Sequence, residues 1–95
     1  VKRAKQNRER TKVIREILRY RNRCEAGPKI VAADRRHFCR VAPDDIHEPL
    51  TRARGGSITD PENMVLVCRP CHDWIHNNPA LAKEIGLLKS AIPGQ

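Results

Sequence analysis

The chain has 95 residues, a net charge of +8, and a single Phe, Trp and Tyr. A length of this order holds one domain, and so thin an aromatic supply builds only a small core, so a metal, a disulfide or a partner is expected to staple it. The charged start carries no apolar run like that of a secretory signal, and no stretch is long enough to span a bilayer, which speaks against an exported or membrane protein.

Ten Lys or Arg and only two Glu fall in residues 1–23, while the rest of the chain balances at nine basic and nine acidic residues. All the excess charge therefore sits in an N-terminal arm. Such an arm suits a polyanion, with Arg8, Lys12, Arg15 and Arg19 as phosphate contacts; a solvated helix face reads equally well from charge alone. Residues 1–7 are expected to be extended or frayed. From Glu9 to Arg21 the pattern is helical, with Val13, Ile14, Ile17 and Leu18 in one narrow apolar stripe. Residues 22–44 read as loop with short extended pieces, and Gly27–Pro28 as a turn.

"DIHE" reads as a short strand, with Asp45 and His47 on one face and Glu48 on the other. "TRARGGSITDPEN" is a turn-rich loop, broken at Gly55–Gly56 and again at Asp60–Pro61. "MVLVC", residues 64–68, is a second strand. A helix follows from Pro70 to Asn77, and Trp74 and Ile75 are expected in the core. Asn78–Pro79 starts a last helix, striped by Leu81, Ile85 and Leu88 and ended or bent by Gly86. The chain thus divides into a basic arm and helix (1–23), a core of strand, loop, strand and helix (24–78), and a C-terminal helix and tail (79–95).

Cys68 and Cys71 sit at the strand-to-helix junction, where a Cys-x-x-Cys turn presents two thiolates to one tetrahedral zinc. Cys24 and Cys39 complete a four-thiolate site if the intervening chain folds back, and folding would then depend on the ion. Disulfides are the competing reading, but a bridge across two residues is typical of a redox site rather than of a structural link. His72 and His76, at i and i+4, face the same way, as a helix presents two ligands to one metal. His47 on the first strand adds a third imidazole. Three such ligands leave positions open for water and a phosphate oxygen, the mark of a catalytic site. The plainer reading packs one His and solvates the other. His37 reads as a surface histidine rather than a zinc ligand, and Arg52 and Arg54 as phosphate contacts or, equally, as solubilising charges.

In chain order stand Cys24, Cys39, "DIHE", "RGG", "DPEN", "MVLV", "CRPCH" and His76, with 15 residues from Glu48 to Asn63, 9 from Asn63 to His72 and 4 from His72 to His76. Over residues 20–80 this order resembles the HNH endonucleases, of the compact kind common in phages and restriction systems. The resemblance implies an α+β fold with a ββα-metal (His-Me finger) core, flanking N- and C-terminal helices and a structural zinc at the four cysteines. It implies hydrolysis of phosphodiester bonds in double-stranded DNA by a base-activated water, with one divalent ion at the scissile phosphate, leaving 5′-phosphate and 3′-hydroxyl ends. His47, His72 and His76 would hold that ion, and Asn63 would tie the loop and help orient the base. Aligned on the Gly-Gly loop, Glu48 falls where the family's catalytic His stands; shifted by one residue, His47 becomes the base instead. Zinc, nickel or manganese suits imidazole ligands, while magnesium prefers oxygen.

One basic arm with no evident recognition helix suggests weak sequence specificity through backbone contacts, and a monomer or weak dimer is expected. The resemblance adds a phage packaging (terminase) complex as a further partner and the cytoplasm of a bacterial host. Two other readings stand beside it. One, kept open by the unusual Glu48, is a zinc-stabilised nucleic-acid-binding module with weak or no catalysis. The other is an interaction domain that docks by its apolar C-terminal helix.

Overall fold

A computed structural model of the chain describes residues 2–90, with side chains described from Ala4 onward. Val1 and the expected tail at 91–95 lie outside the described residues. Helix α1 spans Lys2–Ile17 and runs into a turn that reaches Tyr20. It begins well before Glu9, correcting the extended start. Residues 4–8 hold Ala, Lys, Gln, Asn and Arg, mostly strong helix formers, with no Gly or Pro to break the ladder. Val13, Ile14 and Ile17 pack with Met64, Leu66 and Ile46, as the stripe predicts. Leu18 falls past the helix end and stays exposed.

Helix α2, Gly27–Ala33, stands where a loop was expected. Pro28 lies in its first turn, where a missing N–H costs nothing and the fixed φ already suits a helix. Ile30 is the anchor, fully buried.

Strands β1, Asp45–His47, and β2, Val65–Val67, pair antiparallel with Asp45 opposite Val67, Ile46 opposite Leu66 and His47 opposite Val65. Alternation sorts their side chains. Ile46 and Leu66 turn to α1, whereas Val65 and Val67 join the main core with Ile30, Trp74, Ile75, Ala82 and Leu87. The outer edge of β2 is closed by Glu25: its N–H donates to the Leu66 carbonyl (2.7 Å), and its carboxylate accepts from the Leu66 N–H (2.9 Å). Arg21 grips that carboxylate with two bonds of 2.7 and 2.6 Å and reaches the Pro61 and Met64 carbonyls.

Two short 3-10 turns, Arg52–Arg54 and Pro61–Asn63, punctuate the loop between the strands. Helix α3, Arg69–Asn77, follows β2 directly, and its first N–H is taken by the Asp44 carboxylate (2.7 Å). Helix α4, Pro79–Glu84, then packs on α3. Asn78 precedes it but does not cap it, because its side-chain amide donates back to the Trp74 carbonyl (2.9 Å). Gly86, at φ 83°, closes α4 in the left-handed conformation that glycine tolerates. Trp74 and Ile75 are buried as expected. The described residues thus form a small α+β fold around a two-stranded antiparallel sheet. No helix in them is long and apolar enough to cross a membrane.

Candidate metal centres

Three separate segments deliver the four sulfurs. Cys24 precedes α2, Cys39 follows it, Cys68 stands at the N-terminal boundary of α3, and Cys71 lies in its first turn. All four are free thiols, and their Sγ atoms lie within 4.8 Å of one another. Backbone N–H groups aim at them from outside: Arg40 N–H at Cys68 Sγ and Val41 N–H at Cys39 Sγ, each at 3.4 Å. Val41 adopts φ 72° in this turn, a left-handed conformation that a β-branched residue takes only under strain. Gly27 is required by space rather than by its own dihedral, since a Cβ there would run into Cys39 Sγ.

Burial pushes the Cys71 and Cys39 thiols up. At Cys68 burial pushes the same way, but the Arg40 and Cys71 N–H groups overcome it and hold this thiol below its ordinary value. Four crowded, half-desolvated thiols ionise together only against a cation, and four sulfurs at one point are the donor set of a closed tetrahedral zinc site. The cysteine cluster therefore fits a structural metal such as zinc.

His37 is not the surface residue expected from the sequence. Its Nε2 lies 3.1 Å from Cys71 Sγ, and its ring meets Trp74 edge-on with centroids 6.1 Å apart. Burial pushes this imidazole down, with Asp34 pulling the other way. It stands outside the four-sulfur set, touching it from behind.

The second cluster gathers His47, His72 and His76, whose ligand nitrogens also lie within 4.8 Å of one another. Ring centroids are 5.3 Å apart for His47 and His72, 6.0 Å for His47 and His76, and 4.7 Å for the helical pair. Two rings are oriented by their second nitrogens. His47 Nε2–H donates to the Leu87 carbonyl (2.6 Å), and His72 Nδ1 faces the Asp45 carboxylate (3.1 Å). A carbonyl or carboxylate accepts only, so those nitrogens carry the protons, leaving His47 Nδ1 and His72 Nε2 with free lone pairs. Burial holds His47 below its ordinary pKa, with the Leu87 carbonyl opposing, which keeps the ring neutral and able to coordinate. His47 is 4 % exposed and His76 is exposed, so the cluster is open at one edge. Three imidazoles with room beside them suit a divalent transition ion.

Asn63 ties the loop as expected. Its amide oxygen accepts from Leu50 N–H (3.0 Å), and its amide nitrogen donates to the Leu50 and Ser57 carbonyls (2.7 and 3.0 Å). Gly56 belongs to this clamp, because a Cβ there would overlap the Leu50 carbonyl. Glu48 does not join the imidazoles. It leaves β1 on the α1 side, where Arg10 donates to its carboxylate at 3.4 Å. Arg52 donates to the Gln6 side chain of α1 (2.7 Å), and Arg54 is exposed. Arg8, Lys12 and Arg15 are exposed along α1, and Arg19 pairs loosely with Glu16 (3.5 Å) just beyond it.

Sequence reasoning missed Asp45, Arg10 and the Leu87 carbonyl as supports. Only Asp45 carried a signal, the acid–x–His alternation that puts it on the His47 face. Compared with family models, with curated proteins and with solved structures, the chain matches none.

Proposed function

We propose that the chain is a metal-dependent DNA endonuclease of the HNH type, with β1, the loop, β2 and α3 acting as a ββα-metal unit. One observation carries the reading: three imidazoles from a strand and the following helix converge at an open edge, two of them oriented by acceptors behind the ring. A divalent ion held by His47, His72 and His76 supplies Lewis acidity toward the scissile phosphate and the leaving oxygen.

The remaining work falls to side chains. Arg8, Lys12, Arg15, Arg19, Arg52 and Arg54 hold the phosphate backbone, which gives affinity with little sequence preference. Asn63 keeps the loop shut against Leu50. His47 has its Nε2–H committed to Leu87, so if Nδ1 serves as the ligand no nitrogen of that ring is left to accept a proton. The general base is then Glu48, which must part from Arg10 to reach water. With His72 and His76 alone as imidazole ligands, the base is His47 Nδ1.

Incubating the protein with supercoiled plasmid and zinc, nickel, manganese or magnesium should give metal-dependent nicked or linear product. His72→Ala should abolish that product while the variant still folds and binds DNA. A second reading, a metal-stabilised nucleic-acid-binding module without turnover, is favoured by the Arg10–Glu48 pair, which occupies the carboxylate. An unsubstituted protein that binds the plasmid but cuts with none of the four metals selects that module.

A further inference from the structure

Around His37 the chain between α2 and Cys39 is exposed at Arg35, Arg36 and Phe38, and His37 alone among residues 35–38 turns inward. Asp34 organises the turn. Its carboxylate accepts from the Trp74 indole N–H (3.0 Å) and from Arg36 N–H (3.1 Å), and its carbonyl accepts from His37 N–H (3.1 Å). The result sets the His37 ring against Trp74 with Nε2 on Cys71 Sγ. Among the described residues no other side-chain nitrogen lies within hydrogen-bond distance of a cluster sulfur; the other donors are backbone groups at Cys39 and Cys68.

Four thiolates around one divalent ion leave excess negative charge on sulfur. Hydrogen bonds to those sulfurs spread that charge, and donors behind metal ligands govern how firmly the metal is kept. A thiolate accepts and cannot donate, so at a metal-bound Cys71 the His37 Nε2 must be the donor. We propose that His37 is a positioning residue for the sulfur-bound metal: its N–H to Cys71 slows loss of the ion without joining the ligand set. The proposal rests on a metal at the four sulfurs and is independent of the nuclease reading.

Cobalt(II), loaded into the full chain, tests it, because sulfur-to-cobalt charge-transfer absorption reports the cysteine cluster and not the imidazoles. The decay of that band under excess chelator is followed for the unsubstituted protein, His37→Phe and His37→Gln. His37→Phe keeps a ring against Trp74 and deletes the donor; His37→Gln keeps a donor and deletes the ring. His37→Phe should lose cobalt about tenfold faster, and His37→Gln should stay close to the unsubstituted rate. All three spectra should report four sulfurs. Equal rates in all three, or fast loss from His37→Gln, overturns the proposal. So does a spectrum of three sulfurs and one nitrogen in the unsubstituted protein, or no sulfur-to-cobalt band at all. If His37→Phe fails to load cobalt, His37→Gln decides alone by whether it retains the ion. Failure of the nuclease reading would show instead in the plasmid assay, leaving these rates unchanged.

Discussion

The two clusters of ligand side chains are built of opposite materials and meet water differently. The cysteines come from three separate segments, three of the four are buried, and backbone N–H groups close around the sulfurs. The histidines come from one strand and one helix, and only His47 is buried. The second nitrogens of His47 and His72 are tied back while an edge stays open at His76. A centre that draws distant segments together and shuts out solvent is suited to holding a fold. One assembled on an already formed strand and helix, with a free side, is suited to chemistry. The sulfurs thus offer a soft donor set in a closed setting, and the imidazoles a borderline one at an accessible edge.

That contrast can be broken most forcefully at sulfur. Removing the metal, or making Cys68→Ser, should unfold the protein, since structural zinc contributes on the order of 10 kcal/mol to small domains. Far-UV circular dichroism and limited proteolysis would read it, and a metal-free protein that stays folded would void the distinction. On the proposed nuclease reading with His47 as a ligand, Glu48→Gln should cut DNA hydrolysis by about 10²–10⁴-fold, the usual worth of a general base, with little change in melting temperature. Undiminished cleavage would move the proton to His47.

Smaller effects sharpen the picture of what each centre leans on. Burial pushes the Glu25 carboxyl up, but Arg21 and the Leu66 N–H outweigh it, so its folded pKa lies below the ordinary 4.5. The contribution is present above that value and is lost as pH falls through the folded pKa, because the unfolded chain takes up the proton first. Glu25→Gln should cost about 1 kcal/mol at neutral pH, a partly exposed ion pair being worth no more. Urea midpoints of the two proteins should draw together as the medium is acidified below that value; a constant gap would exclude the ion pair as the cause. Val41→Gly should gain about 1 kcal/mol by relieving the left-handed turn beside Cys39. A lower melting temperature in that variant would mean that the valine side chain contributes more than its backbone strain costs.

How far these features were legible depends on how local their causes are. Alternation in "DIHE" and "MVLV" and the four-residue step from His72 to His76 are encoded within a few residues, and both strands and the helix formed where the pattern put them. Asn63 was expected as a loop tie from the family resemblance alone, and no local pattern marked its bonds to Leu50 and Ser57. Helix α2 escaped because it is two turns long and Gly-Pro marks a turn and a helix start alike. The convergence of Cys24 and Cys39 with the later pair was a matter of chemistry, not of pattern. His37 was misread, and the Glu48–Arg10 pair was missed, for one reason: the partners, Cys71 and Arg10, lie 34 and 38 residues away, and no local period records such a meeting.

Cys71 and His72 are consecutive residues in the first turns of α3, yet the first belongs to the sulfur cluster and the second to the imidazoles. A single peptide bond therefore links the two clusters. Any slackening of the thiolate knot would swing the neighbouring ring away from its mates, so a thiol-seeking reagent would silence whatever the imidazoles do without touching one of them.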